Sequence, residues 1–317
     1  MKLKHIFIIA CVALFGVTQA NAQGQTLPIL SANTDARAAS MGNSSVAAEG
    51  MYIYNNPSAF FGMDKKFTAD VSASIYEKEE NIEGTFGLHT ASIGYKFAKR
   101  HAVFAGFRYA GGIKFKGANM LGEPTKEYKP YDWTIDFGYA YMINKSFSAY
   151  ATGSVVFSHL SKNANGGAFT IGASYHKNDI SIANKQAKFI ADAKVTALGP
   201  NLDYGNGYKV PMPTHVAIGG VLLVDMADKH QVSAALSTRY FFQPSESKVF
   251  MVGSGLEYTY NNMVSVRTGY EYGDHNLSHF TMGAGVKYRG LRINGAYMLK
   301  TVDAGSSYCT VGLRYDF

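Results

Sequence analysis

Cysteine is almost missing from this 317-residue chain, which holds two, Cys11 and Cys309. Cys11 lies in a stretch that reads as an export signal, so a single thiol is expected after processing, and an internal disulfide is excluded as a source of stability. Long apolar runs are missing as well. Beyond the first 22 residues the longest, Val216 to Val224, contains two glycines and is far too short for a membrane-crossing helix. Tryptophan occurs once, proline eight times, and charged residues make up 17%. The formal charge of +7 falls to about +5 once Lys2 and Lys4 leave with the signal, too thin a balance for a nucleic-acid partner. What is abundant is tyrosine (22), phenylalanine (20) and glycine (33), at a mean hydropathy near zero. That mixture suits a membrane barrel better than a soluble core.

The start of the chain supports export. Lys2, Lys4 and His5 form a basic region, Ile6 to Val17 an apolar one, and Ala20-Asn21-Ala22 a small-x-small cleavage site, so residues 1–22 read as a signal peptide. A lipoprotein signal centred on Cys11 does not fit, because few apolar residues precede that cysteine and another apolar stretch follows it. The expected location is the outer membrane of a Gram-negative-type cell.

Alternation with period two recurs about fourteen times. In Tyr131 to Ile143 the odd positions are Tyr131, Trp133, Ile135, Phe137, Tyr139, Tyr141 and Ile143, while the even ones are Asp132, Thr134, Asp136, Gly138, Ala140 and Met142. One face suits lipid and the other is polar or small. The pairs Tyr131/Trp133 and Tyr139/Tyr141 stand eight residues apart, roughly 20 Å along the membrane normal for a tilted strand, the spacing of two aromatic girdles. The pattern returns at Val103 to Tyr109 with Arg108 opposed, at Val232 to Tyr240 with Arg239 opposed, at Val264 to Tyr272 with Arg267 and Glu271 opposed, and at Phe280 to Tyr288 with Lys287 opposed. Strands are expected to begin near 67, 85, 102, 131, 147, 167, 187, 214, 230, 248, 263, 279, 290 and 306. The weak stretches are 187–198 and 85–90, where Phe86 and Leu88 sit on the opposite phase, so twelve strands is the alternative. The fold class is therefore all-β, a transmembrane antiparallel barrel of about fourteen strands over residues 67–317. The last strand ends in Tyr315 and Phe317, an aromatic close that resembles the signal read by barrel assembly machinery.

Residues 23–66 lack this alternation. Asp35 to Met41 is alanine-rich and suits a helix, Gly62 to Lys66 suits a turn, and the segment is expected to fold back into the lumen as a plug. Met41, Met51, Phe60 and Phe61 either line an apolar pocket beneath it or pack it. The inward charges Arg108, Asp132, Asp136, Arg239, Glu257, Arg267, Glu271, Lys287, Arg292 and Arg314 either line a pore or, the favoured reading, pair across the lumen and hold the plug, since an unpaired buried charge costs several kcal/mol. Both signs are present, so no ion selectivity follows.

No motif points to catalysis. Gly253-Ser254-Gly255 and Gly283-Ala284-Gly285 lack the third glycine of a dinucleotide loop and lie in strands, where inward glycine relieves crowding. His275 and His279 share a spacing that makes one face only on a helix, and they fall in a hairpin, so no metal is expected. Cys309 shares the lipid-facing phase of Val311 and Leu313, and no Ser/His/Asp arrangement can be assembled. Neither a cofactor nor enzymatic activity is expected.

The run Ala36-Arg37-Ala38-Ala39-Ser40-Met41-Gly42, followed by Tyr54-Asn55-Asn56-Pro57-Ser58-Ala59, resembles the opening of the PorV/PorQ family, itself akin to FadL-type channels. Leu198 to Tyr204 leading to Val210-Pro211-Met212-Pro213, and Gly255-Leu256-Glu257-Tyr258 leading to Arg267-Thr268-Gly269-Tyr270, extend the similarity over nearly the whole mature chain. The resemblance implies a fourteen-stranded barrel with its N-terminal segment in the lumen, and Arg37, Met41, Gly42, Asn55, Asn56 and Pro57 as family-motif residues. It also implies a role in type IX secretion or surface attachment, with outer-membrane lipid, the barrel assembly machinery, and the translocon or cargo C-terminal domains as partners. The alternative is a FadL-like channel for a hydrophobic small molecule. The connections Lys116 to Pro130, His176 to Gln186 and Gly199 to Pro213 read as modest loops.

Overall fold

The structure, a computed structural model, describes residues 26–317 apart from 47–48, 79–81, 119–123, 206, 275–276 and 302–305; the expected signal peptide and His275 lie outside the described residues. Fourteen strands among the described residues form one closed antiparallel barrel. In chain order they are β1 (Phe67–Tyr76), β2 (Glu83–Ala98), β3 (His101–Ala118), β4 (Tyr131–Met142), β5 (Phe147–His159), β6 (Asn163–Ile182), β7 (Lys185–Leu198), β8 (His215–Ala227), β9 (His230–Phe241), β10 (Val249–Tyr260), β11 (Val264–Gly273), β12 (His279–Tyr288), β13 (Leu291–Lys300) and β14 (Tyr308–Asp316). Each pairs with its sequence neighbours, and β1 closes on β14 from Thr68↔Asp316 to Tyr76↔Tyr308. The seam continues where the Phe317 N–H donates to the Phe67 carbonyl at 2.9 Å and the two rings meet edge-on at 5.0 Å.

Both weak stretches belong to the ladder, so the twelve-strand alternative is excluded. Residues 187–198 lie in β7, paired on both sides. The phase change at Phe86 and Leu88 is a bulge: the β2–β3 register shifts between Gly84 and Gly87, which turns Leu88 into the lumen, where it is fully buried.

The alternating pattern separates lipid from lumen along every wall. On β4, Phe137 (61% exposed) and Tyr139 (42%) point outward while Thr134 and Asp136 are buried. The two ends of the barrel differ. Connections at the end that holds both Phe67 and Phe317 are tight turns at 99–100, 143–146, 183–184, 228–229, 261–263 and 289–290; those at the other end are longer, apart from the three-residue turn at 160–162. These are called the turn end and the loop end.

Two of the connections depart from the modest loops expected. Within 116–130, β3 runs on to Ala118 and Pro124–Tyr128 pairs back against it, Phe115↔Tyr128, making a hairpin extension. His176–Gln186 is not a loop but the tip of the β6–β7 hairpin, closed by Ala183 and Asn184 with φ of 47° and 61°, the left-handed pair that a tight hairpin requires. It also lies at the turn end, opposite the other two. The third, 199–213, contains a small ladder, Leu202–Asp203 against Lys209–Val210.

Because lipid accepts a charge least at mid-depth, Leu256→Arg, on the outward face of β10, is expected to lower stability by about 2–4 kcal/mol, and Tyr260→Arg at the strand's turn end by about 0–1 kcal/mol. Equilibrium unfolding in phospholipid vesicles measures both.

Candidate functional site

The lumen is occupied by residues 26–66. A single helical turn, α1 (Pro28–Ser31), is followed by α2 (Ala36–Ala39) and a 3-10 turn over Pro57–Gly62. Each of the latter two is started by a side chain suited to it. Asp35 accepts from the Arg37 and Ala38 N–H groups (2.7 and 3.4 Å), and Asn56 from those of Ser58 and Ala59 (3.0 and 3.3 Å), with Pro57 at the first position. Ser174 of β6 donates to the same Asn56 oxygen at 3.0 Å, so the Asn-Pro turn is tied to the wall.

Glycine sets how closely this segment approaches the wall. Gly42 has φ +64°, and a Cβ there would collide with the backbone of Ser254 and Tyr270. On the wall, a Cβ on Gly253 or Gly269 would strike the backbone of Gly42, and one on Gly255 that of Met41. The inward glycines of β10 and β11 therefore make a flat floor on which the Met41-Gly42 turn rests, rather than merely relieving strand crowding. Thr281 completes the seat: its hydroxyl accepts from the Gly42 N–H (2.9 Å) and donates to the Ser40 carbonyl (3.0 Å).

Most of the inward charges meet partners. Glu257 takes Arg37 from α2 (2.6 and 3.0 Å) and Arg267 from β11 (2.5 Å), joining plug to wall. Burial alone would lower the Arg37 pKa, but the Glu257 carboxylate outweighs it and holds the guanidinium above its ordinary value. Arg108 binds Asp136 (2.8 Å) and donates to the Ile29 carbonyl (2.7 Å); Tyr54 donates to Asp136 (2.9 Å) and lies under the Arg108 guanidinium, 4.6 Å from ring centre. Arg239 pairs with Glu271, whose oxygens also accept from Asn43 at 3.1 Å. Arg314 and Arg292 share Asp316 (2.7 and 3.4 Å), and Arg314 stacks on Tyr52 of the plug at 4.9 Å.

The other expected residues stand apart. Asp132 accepts from Ser158 near the loop end, and Lys287 is half-buried at the turn end with its Nζ 3.3 Å from Asn262 Oδ1. Tyr315 and Phe317 are exposed on the outer wall. Asn55 donates to Asp35 (3.3 Å) and to the Gly50 carbonyl (2.9 Å). Met41 and Phe60 are buried packing, the latter against Tyr52 and Phe104 at 5.1 and 5.5 Å.

Several residues of the network carried no signal in the sequence reading. Lys194 donates to the carbonyls of Tyr54 and Asn55 (3.1 and 2.5 Å), and Asp192 accepts from Tyr150 (2.8 Å) and Ser174. Both lie in weakly alternating β7, and assigning its phase would have exposed them as inward charges. Asn43 and Tyr52 had no pattern to reveal them.

The space around the plug is unequal. At the loop end, Leu27, Ile29 and Leu30 pack with Leu88, Val156, Leu202 and Met212, so the 199–214 loop folds back over the plug. Burying such side chains stabilises by about 1.5–3 kcal/mol each. Towards the turn end lies a vestibule of about 940 Å³, bordered by Arg37, Met51, Glu257, Arg267, Arg292 and Arg314 and reaching the turns at Asn184, Lys229 and Gly290; no loop-end connection lines it among the described residues. A small pocket of about 60 Å³ sits between Arg108, Lys194 and Arg239.

With this geometry described, the comparisons with known proteins are specific. Residues 17–247 match the family model of the type IX secretion system protein PorV. No curated protein matches the chain. Among solved structures, the toluene transporter TbuX of Ralstonia pickettii superposes with a TM-score of 0.60 at 13% identity, over 88% of this chain and 97% of that one. The toluene transporter TodX of P. putida gives 0.60 at 12% over 88% and 97%, and a FadL homologue of Pseudomonas aeruginosa 0.56 at 12% over 90% and 98%. At such identities the likeness is one of fold.

Two substitutions separate seating from mere space. Gly269→Ala puts a methyl into the Gly42 backbone, whereas the same change at Gly312 meets the Ala36 methyl at 3.6 Å and Ser72 Cβ and the Val71 carbonyl oxygen at 3.8 Å, ordinary van der Waals distances. Gly269→Ala is expected to raise trypsin cleavage within 26–66 and ion conductance in planar bilayers; Gly312→Ala leaves both at the native level. Glu257→Gln removes the carboxylate shared by Arg37 and Arg267 and is expected to cost about 3–5 kcal/mol. Asp132→Asn, which disturbs a hydroxyl contact, should cost about 1 kcal/mol by the same unfolding assay.

Proposed function

The chain belongs to the family of the type IX secretion system protein PorV, and on that premise we propose that it acts by protein contacts at its loop end, with its lumen held shut. It is an outer-membrane barrel of the type IX secretion system, serving protein secretion or the surface attachment of secreted cargo. Short turns mark the periplasmic end of such barrels and longer connections the exterior, so the loop end faces the cell exterior, where cargo is released or attached.

The observation that carries this reading, beside the family match, is the seal. The plug is fastened to the wall by Glu257, Asp136, Glu271 and Thr281, and the 199–214 loop closes its outer side. A barrel sealed in this way offers its rim, not its bore. Our reading divides the chain into a signal peptide at 1–22 removed on export, a plug at 23–66 and the barrel from 67. Arg37, Met41, Gly42, Asn55, Asn56 and Pro57 are the plug's fastening residues, and Tyr315 and Phe317 the strand end offered to the barrel assembly machinery. The outward apolar wall is taken up by outer-membrane lipid. No catalytic step is assigned.

The fold likeness to TbuX and TodX favours a second reading, passage of a hydrophobic small molecule. It needs an apolar route, whereas Arg37, Glu257, Arg267, Arg292, Arg314 and Asp316 stand among the residues that line the vestibule and the apolar cluster at the loop end is filled by Ile29, Leu30 and Leu202.

A mild-detergent pull-down of the tagged protein from native outer membranes, with mass spectrometry of co-purifying proteins and extracted lipids, tests the two readings. Recovery of type IX components or cargo is the expected result. A bound fatty acid or similar hydrophobe with no protein partner would replace it with the channel reading.

A further inference from the structure

The two ends of the barrel treat their charges differently. At the loop end three cations sit beside acids: Lys129 with Glu127 (3.0 Å), Lys300 with Glu77 (3.5 Å) and Lys209 with Asp203 (3.8 Å). At the turn end, four of the six turns carry exposed cations, Lys99 and Arg100, Lys145, Lys229 and Arg289, and Asp228 is the one acid in the six. Among the described residues none of these five cations forms an ion pair. Five exposed cations against Asp228, the one acid of the six turns, raise the free energy of the rim unless an anion from outside meets them.

Their placement says which anion. Each lies just beyond an outward aromatic belt formed by Tyr95, Phe97, Tyr139, Tyr258, Tyr260 and Tyr288, all well exposed on the outer wall. Lys99 and Arg100 follow Phe97, Lys145 precedes Phe147, and Lys229 adjoins His230, whose ring meets Tyr260 at 5.4 Å. The Arg289 guanidinium lies over the Tyr288 ring at 5.2 Å. Aromatic rings settle at the level of lipid headgroups, and long cationic side chains beyond them reach the phosphates. The turns that carry them join β2 to β3, β4 to β5, β8 to β9 and β12 to β13, so the cations are spread around the circumference. A globular partner covers one side of a rim; a lipid leaflet meets all of it.

We propose that the turn end is a binding rim for anionic phospholipids of the surrounding leaflet, the five cations engaging their phosphodiester headgroups. The inference rests on the barrel's setting in a membrane and not on its role in secretion, so either can fail without the other.

The test uses the full barrel in nanodiscs of phosphatidylcholine with a minority of phosphatidylglycerol, released into a native mass spectrometer, with heat-modifiable mobility as the check on folding. The wild-type protein should retain phosphatidylglycerol several-fold above its share of the bilayer, and added salt should reduce that enrichment. The set K99Q/R100Q/K145Q/K229Q/R289Q should lose most of it, while the loop-end set K78Q/K116Q/K129Q/K162Q/K209Q keeps it. No enrichment in the wild type, an enrichment indifferent to salt, or equal loss in the two sets would overturn the proposal. So would selective crosslinking of the five positions to an acidic protein in native membranes without phosphatidylglycerol enrichment. If the turn-end set fails to fold, the wild-type enrichment and its salt response decide the matter alone.

Discussion

A strand crossing hydrocarbon has no water to bond its amides, so every backbone group must find a partner within the protein. The β1–β14 ladder answers this requirement at the last open edge, and the other features of the fold follow from it. Closure makes every strand central, with one face in lipid and one in the lumen, and so imposes the alternation read in Tyr131 to Ile143. It also fixes what the inner faces must be: polar and small, because outward positions hold the large apolar side chains.

That inner polarity creates the next problem. Arg108, Arg239, Arg267, Arg292 and Arg314 all point into a space narrowed by residues 26–66, where the loss of water is expensive. The chain meets this by sharing carboxylates. Glu257 serves Arg37 and Arg267, Asp316 serves Arg292 and Arg314, and Asp136 serves Arg108 and the Tyr54 hydroxyl. The plug is therefore part of the electrostatic balance of the wall. Removing it would strip Glu257 of one guanidinium, Glu271 of its Asn43 amide and Lys194 of two carbonyls, so plug and barrel are best regarded as one folding unit.

The sequence was most legible where lipid enforces contrast. β4 and β11 alternate without interruption, and their faces were assigned residue by residue. Legibility failed where the environment ceases to differ between faces. The tip of the β6–β7 hairpin, with Lys177, Asn178 and Asp179, stands in water on both sides and reads as a loop, though it is strand. β7 conceals Asp192 and Lys194 because two of the outward side chains that flank them, Ala191 and Ala193, are small and give no apolar contrast. Gly253 and Gly255 were legible as inward glycines, but their purpose was not: the backbone they accommodate lies more than 200 residues away in sequence. Asn43 and Tyr54 belong to an irregular segment whose contacts no period encodes.

Identity of 12–13% with hydrocarbon transporters at TM-scores of 0.60 fits the same logic. What the membrane constrains is period, pairing and closure, and many sequences satisfy all three. The lumen is constrained differently, since its contacts are between particular atoms. The Met41-Gly42 turn needs bare glycine beneath it, and Arg37 needs a carboxylate at position 257. The matched family model spans both the plug and the first nine strands, which include the positions where Arg108, Asp136 and Lys194 hold the segment. On the proposed reading, a barrel whose buried charges hold its bore closed has its outer surfaces left for recognition, which is why the function is sought at the rim.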